Sequence, residues 1–273
     1  MKKPSSSEIP SKPDQPRRQD RFFDGLADKF AHNIYATAKG RLRLRILRDR
    51  MRAELPLDQG PLRVLEVGGG MGQISAWLAR QGHQVLLTEP SQDMLDLAQP
   101  RLARCGVRWL QSPIQTLDTH LAEDAGAYDL LVCHAVLEWL QDPLPTLQNA
   151  LRYLRPGGYL SLMFFNADAL FFANVQRGNF KRVLDGGLQG KGRGRRLTPI
   201  SPLRPDLVLD WLAAAGYERL GVTGVRVFSD YLKPTRPPEA TPERLLQLEK
   251  RYCQAEPWWR LGRYCLVHAI KPR

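Results

Sequence analysis

The sequence predicts an α/β domain built on a doubly wound, seven-stranded, mostly parallel sheet. Three observations predict its parallel part. Arg63–Val67 is a short apolar strand that runs into Gly68, Gly69, Gly70, Met71 and Gly72, then into Gln73–Gln81 with Ile74, Trp77 and Leu78 at helical spacing. A second apolar strand, His83–Thr88, ends on Glu89, about twenty residues after the glycines. From there to Phe165, strand-like and helix-like stretches alternate strictly, as in parallel sheets with right-handed crossovers.

Glycine suits the first turn because the backbone must bend tightly and let a ligand lie against it. An acidic residue ending the second strand suits the hydroxyls of a ribose. Together they predict a nucleoside cofactor. A dinucleotide site uses Gly-x-Gly-x-x-Gly against a pyrophosphate. This chain instead has Glu-x-Gly-Gly-Gly-x-Gly from Glu66 to Gly72. That pattern resembles the first motif of class I S-adenosylmethionine-dependent methyltransferases, whose sheet is Rossmann-like. Taken alone, the glycines also suit a tight turn in any α/β domain.

Composition narrows the class. The chain has 273 residues, 43% of them hydrophobic, enough for one large domain with insertions or two small ones. No apolar run is long enough for a bilayer, and the N-terminus lacks a signal-type stretch. Cys105, Cys133, Cys253 and Cys265 are dispersed without metal-ligand spacing, so reduced thiols in a cytoplasmic protein and no metal are expected. The net charge of +12 exceeds what solubility requires and points to a polyanionic partner, nucleic acid first and anionic membrane second. A generally basic proteome is the alternative.

Residues 1–19 are rich in Lys, Arg, Pro and Ser, predicting a disordered basic tail ahead of a single domain over 20–273. From Asp20 to Arg52, apolar residues at three- and four-residue steps predict amphipathic helices, with five arginines between Arg41 and Arg50. Ser91 is a candidate N-cap for the helix to Arg104. Val107–Gln111 is a third strand, and Tyr128–Cys133 a fourth that delivers His134 at the sheet edge where ligands bind. Gln141–Leu154 is a helix stopped by the turn at Arg155–Gly158, and Tyr159–Phe165 is strand five. Residues 167–202 break the rhythm as a basic insertion. Its Lys191, Arg193, Arg195 and Arg196 carry four positive charges with no acidic residue among them, suited either to phosphates or to simple solvation. A helix from Pro205, an apolar Val222–Tyr231 stretch, a helix over Pro242–Gln254 and a strand over Tyr264–Ile270 close the chain.

The segments RFFDGLADKFAHNIYATAKGRLR, LEVGGGMGQ, HAVLEWLQDP, LRPGGYLSLMFFN, GNFKRV, TGVRVFSDYL and LEKRYCQAEPWWRLGRY together resemble bacterial tRNA 5-carboxymethoxyuridine methyltransferases, from about Asp20 to Lys271. The resemblance implies methyl transfer from S-adenosylmethionine to the carboxylate of a modified wobble uridine, giving the methyl ester, with the tRNA anticodon loop as partner. It implies cofactor contacts at Arg43, Gly68, Gly69, Glu89, Ile114, Gln115 and His134, a leading segment that closes over the cofactor, and an acceptor site near Asn166. The family has Asp at the ribose position, where this chain has the longer Glu89.

Esterifying an ionised carboxylate needs orientation and exclusion of water more than a strong base. A cationic or hydroxyl donor on the second oxygen would hold the acceptor and reject unmodified uridine. Tyr35, Lys39, Arg226 and Arg263 are the candidates for this clamp. Trp139, Trp258 and Trp259 are candidates to stack on an extruded base, with core packing expected for at least one. A small-molecule carboxyl or hydroxyl methyltransferase, and a non-catalytic RNA-binding protein on the same fold, are the competing readings.

Overall fold

A computed structural model describes residues 19–32, 37–190, 197–232, 235 and 239–273. The expected basic tail, Tyr35 and the cluster Lys191, Arg193, Arg195 and Arg196 lie outside these, apart from residue 19.

The described residues start without helix or strand at 19–23 and reach α1 (Ala27–Phe30) and then α2 (Ala38–Glu54). The side chain of Thr37 caps α2 by accepting the Gly40 N–H at 3.0 Å. The core units β1 (Arg63–Val67), α3 (Gln73–Ala79), β2 (Gln84–Glu89), α4 (Gln92–Ala103) and β3 (Arg108–Gln111) follow. Ser91 is the N-cap of α4, accepting the Met94 N–H at 3.3 Å. Next come α5 (Asp118–Leu121), β4 (Tyr128–His134), α6 (Pro143–Ala150), β5 (Leu154–Phe165), α7 (Ala167–Gln176) and α8 (Phe180–Leu184). The chain finishes with α9 (Pro205–Ala214), β6 (Glu218–Val225), α10 (Pro242–Tyr252) and β7 (Tyr264–Ile270).

The seven strands form one sheet in the order β3-β2-β1-β4-β5-β7-β6. β1 to β5 pair in parallel, while β7 runs antiparallel to both β5 and β6. Strand order reverses between β1 and β4, which opens a crevice at their carboxyl ends. Successive residues of each strand serve opposite faces. Leu131, Cys133, Leu162 and Phe164 pack on one side beneath α6 and α9; Leu130, Val132, Met163 and Phe165 pack on the other beneath α2 and α3.

Three local expectations are corrected. Residues 19–23 are not helical, because Asp20 and Arg21 are bonded to the Trp139–Gln141 segment. The predicted helix to Leu154 ends at Ala150 in α6, followed by a single tight turn at Leu151–Tyr153. Arg155–Gly158 belongs to β5 instead of a stop before it: Gly157 and Lys271 pair across to the end of β7, and Gly157 takes φ +66°. Among the described residues no helix is long and apolar enough to cross a membrane.

Candidate active site

The crevice is built from the turn after β1, the ends of β2 and β4, and the inner face of α2. One half is lined by Phe23, Arg43, Glu66, Gly68, Glu89 and His134, with Gly69 and Gly70 beside them. The other half shares Phe23, Gly68 and Glu89 and continues past Ile114, Gln115 and Trp139. All seven residues expected at the cofactor therefore line one continuous cleft.

The glycine turn is geometrically obligatory. Gly68 takes φ +63°, and a Cβ there would sit 2.5 Å from Val136 Cγ2. At Gly69 a Cβ would sit 2.5 Å from Leu87 Cδ1. Glu89 ends β2 buried, with Oε2 accepting the Gly70 N–H at 2.9 Å and Oε1 the Ser91 N–H at 3.1 Å. Burial pushes its carboxyl up to about 7, against the pull of those two N–H donors, and the negative charge of Asp24 adds to the rise. Glu66 is buried at the cleft floor and accepts from the Ser75 hydroxyl; burial raises it to about 7 as well.

The leading segment covers this cleft. Phe23 meets the Trp139 ring edge-on at 5.0 Å, and the Arg21 guanidinium lies 5.7 Å from the same ring. Asp20 anchors the cover, accepting the Gln141 N–H at 2.6 Å and the Gln115 side-chain amide. Sequence reasoning named neither Phe23 nor Asp20 as a site residue. Their only local signal was the DRFFD run ahead of the glycine motif.

Beyond His134 lies a group of aromatic rings and guanidinium groups. Arg43 and Arg226 lie 5.7 and 5.8 Å from the Tyr264 ring, and Arg263 lies 4.5 Å from that of Phe165. Asp230 sorts the candidate clamps. It binds Arg226 through two bonds of 2.7 and 2.5 Å and Lys39 through one of 2.9 Å. Burial works to raise Asp230, but Arg226 and Lys39 outweigh it and hold the carboxyl below its usual range. The Arg263 guanidinium, in contrast, has no hydrogen-bond or ion-pair partner among the described residues. Burial, with Arg226 and Arg177 nearby, lowers its pKa despite Tyr264 and Asp230.

Asn166 has a structural duty. Its carbonyl oxygen caps α7 through the N–H groups of Asp168 and Ala169, at 2.9 and 3.3 Å. Its amide donates to the carbonyls of Arg260 and Gly262, at 2.8 and 2.9 Å, which pins the turn that delivers Arg263. Of the three tryptophans considered for base stacking, Trp139 and Trp259 are buried, and Trp258 is exposed beside Phe228 and Tyr252. Among the described residues no group of His, Cys, Asp and Glu could hold a metal ion.

Comparison with known proteins agrees with this architecture. Residues 36–221 match the methyltransferase domain family. The chain resembles solved S-adenosylmethionine-dependent methyltransferases from Thermotoga maritima (TM-score 0.59, 17% identity, 91% of this chain and 98% of that one) and Mesorhizobium loti (TM-score 0.55, 19% identity, 88% and 100%). It is 26% identical over 167 residues to ubiquinone biosynthesis O-methyltransferase of Vibrio cholerae, covering 60% of this chain and 64% of that protein. It is 45% identical over 264 residues to the tRNA 5-carboxymethoxyuridine methyltransferase of Escherichia coli K12, covering 93% of this chain and 98% of that protein. With a seven-stranded sheet of the right order and a glycine-lined cleft at its switch point, the chain belongs to the tRNA 5-carboxymethoxyuridine methyltransferase family, a family of S-adenosylmethionine-dependent enzymes.

Proposed function

We propose that this protein transfers a methyl group from S-adenosylmethionine to the carboxylate of 5-carboxymethoxyuridine at the tRNA wobble position, giving the methyl ester. The observation that carries the reading is Arg263, a cation beside the end of β5 whose guanidinium has no hydrogen-bond or ion-pair partner among the described residues. An anionic acceptor would satisfy it, and neutral uridine would not.

The cleft fits the cofactor: Glu89 offers a buried carboxylate to a diol, and His134 Nδ1 is buried without a hydrogen-bond partner among the described residues. Arg43, Gly68, Gly69, Glu89, Ile114, Gln115 and His134 hold it. When bound, it supplies a methyl group already activated on a sulfonium. The chain's own work is placement. Arg263 grips one acceptor oxygen and leaves the other in line, while Asp230 keeps Lys39 and Arg226 from competing for the anion. Phe23 and Trp139 exclude water from the adenosine end. No general base is needed, because the acceptor is ionised at neutral pH. Lys191, Arg193, Arg195 and Arg196 pair with backbone phosphates of the anticodon loop, and Trp258 stacks on a splayed base. The tRNA substrate makes the cytoplasm its place of action.

The test is to incubate the purified protein with methyl-labelled S-adenosylmethionine and tRNA from cells lacking it, then analyse nucleosides by mass spectrometry. Gain of the methyl ester on 5-carboxymethoxyuridine is expected. Cofactor binding without transfer would overturn the tRNA reading.

A further inference from the structure

A chain of polar groups leads away from the cleft along the sheet face beneath α2. His134 ends β4, Ser161 lies in β5, and His268 faces Ser161 directly across the β5–β7 ladder. His134 Nε2 lies 2.8 Å from Ser161 Oγ, which lies 3.0 Å from His268 Nε2. His268 Nδ1 lies 2.6 Å from Oε2 of Glu54, the last residue of α2. The other Glu54 oxygen accepts from Arg50 at 2.6 and 3.0 Å and from Gln254 at 2.6 Å. Ser161 and His268 are both 0% exposed. Gly221 of β6 leaves room for Glu54, since a Cβ there would lie 2.6 Å from Oε2.

Donors and acceptors along this chain can be assigned from one end. Burial works to raise Glu54, but His268 and Arg50 outweigh it and hold the carboxyl below its ordinary range, so Glu54 is an acceptor only. His268 Nδ1 therefore donates. With the ring proton on Nδ1, His268 Nε2 accepts from the Ser161 hydroxyl, whose oxygen accepts from His134 Nε2–H. His134 Nδ1 is left as a bare acceptor. It is buried without a hydrogen-bond partner among the described residues, on a side chain that lines the cofactor cleft. Burial, with His268 and Arg43 nearby, pushes His134 down to about 3, so its ring stays neutral.

We propose that Glu54, His268 and Ser161 form a positioning relay that fixes the tautomer of His134 and presents its Nδ1 to the cofactor as an acceptor. An acceptor there suits an ammonium donor such as the amino group of the cofactor's methionine portion.

The inference rests on the cofactor cleft and not on the tRNA reading, so its test uses no tRNA. The full chain is labelled with 15N-histidine, and two-bond proton–nitrogen correlations assign the His134 tautomer in ligand-free protein at pH 8. The expected result is a proton on Nε2 in the native protein and mixed tautomers in Ser161→Ala. Titration with S-adenosylhomocysteine then shows binding about three- to tenfold weaker in Ser161→Ala, the size expected for one hydrogen bond. A native His134 carrying its proton on Nδ1 at pH 8 would overturn the proposal. So would a Ser161→Ala variant with an unchanged tautomer and unchanged affinity. The correlation experiment on native protein decides the matter even where a variant folds poorly.

Discussion

The guanidinium of Arg263 lies 4.5 Å from the centre of the Phe165 ring, where β5 ends and the acceptor is expected. The ring holds the cation through its π face and leaves its N–H donors for a ligand. Arg263→Ala is expected to lower kcat/KM for the carboxylated tRNA by about ten- to a hundredfold, the range for a charged hydrogen bond. S-adenosylhomocysteine affinity should stay within about twofold, since no contact with the cleft glycines or Glu89 is lost. Steady-state kinetics together with calorimetry separate the two. A drop in cofactor affinity of the same size would place Arg263 at the cofactor instead.

Glu89 predicts a pH dependence. Its carboxyl is raised to about 7, so below that pH it is largely protonated and loses one of the acceptor sites a diol uses. Cofactor affinity should rise as pH increases from 6 to 8, and Glu89→Gln should bind weakly with a flatter profile. Calorimetric titration across that range checks it. A native profile that is flat would contradict the prediction.

Glu138 offers a stability test. It is 1% exposed, its Oε2 has no hydrogen-bond partner among the described residues, and burial raises its carboxyl to about 7. A raised carboxyl binds its proton more tightly in the folded state. Its stabilising contribution is complete below about 4.5, the unfolded value, and is lost as pH rises through about 7. Glu138→Gln removes that ionisation, so its Tm should exceed the native Tm at pH 8 and approach it at pH 5.5. Thermal unfolding by circular dichroism at the two pH values decides.

Asp230→Ala leaves the partly buried Arg226 without its carboxylate and frees Lys39. Removing one partner of a buried pair costs about 3–5 kcal/mol. A loss of that size should appear in urea unfolding, and Asp230→Asn should lose less. An unchanged midpoint in Asp230→Ala would show that the pair does not stabilise the native state.

Gly69→Ala tests the cleft floor. The added Cβ meets Leu87 at 2.5 Å and must push it or the turn aside. Cofactor affinity should fall by at least about tenfold, with a smaller effect on fold, because the turn and not the core takes the displacement. Calorimetry and circular dichroism on the same variant provide the comparison.

Much of this was legible in the chain itself. Val64–Val67, the glycines, the α3 periodicity and Glu89 are local patterns, and local patterns report backbone conformation and burial directly. They predicted the strand–turn–helix unit, the parallel alternation and the cofactor cleft at the strand ends. Which candidate cation remains available to an acceptor was not local. Asp230 reaches Lys39 across 191 residues and Arg226 across four, and only chain folding brings all three together. The same holds for Phe23 meeting Trp139, and for His268, which in the sequence is one polar residue within an apolar strand. Pairing across a sheet depends on register and packing, set by contacts between distant segments. The sequence alone therefore determined the fold and the cleft, and tertiary structure decided which side chains are free to act there.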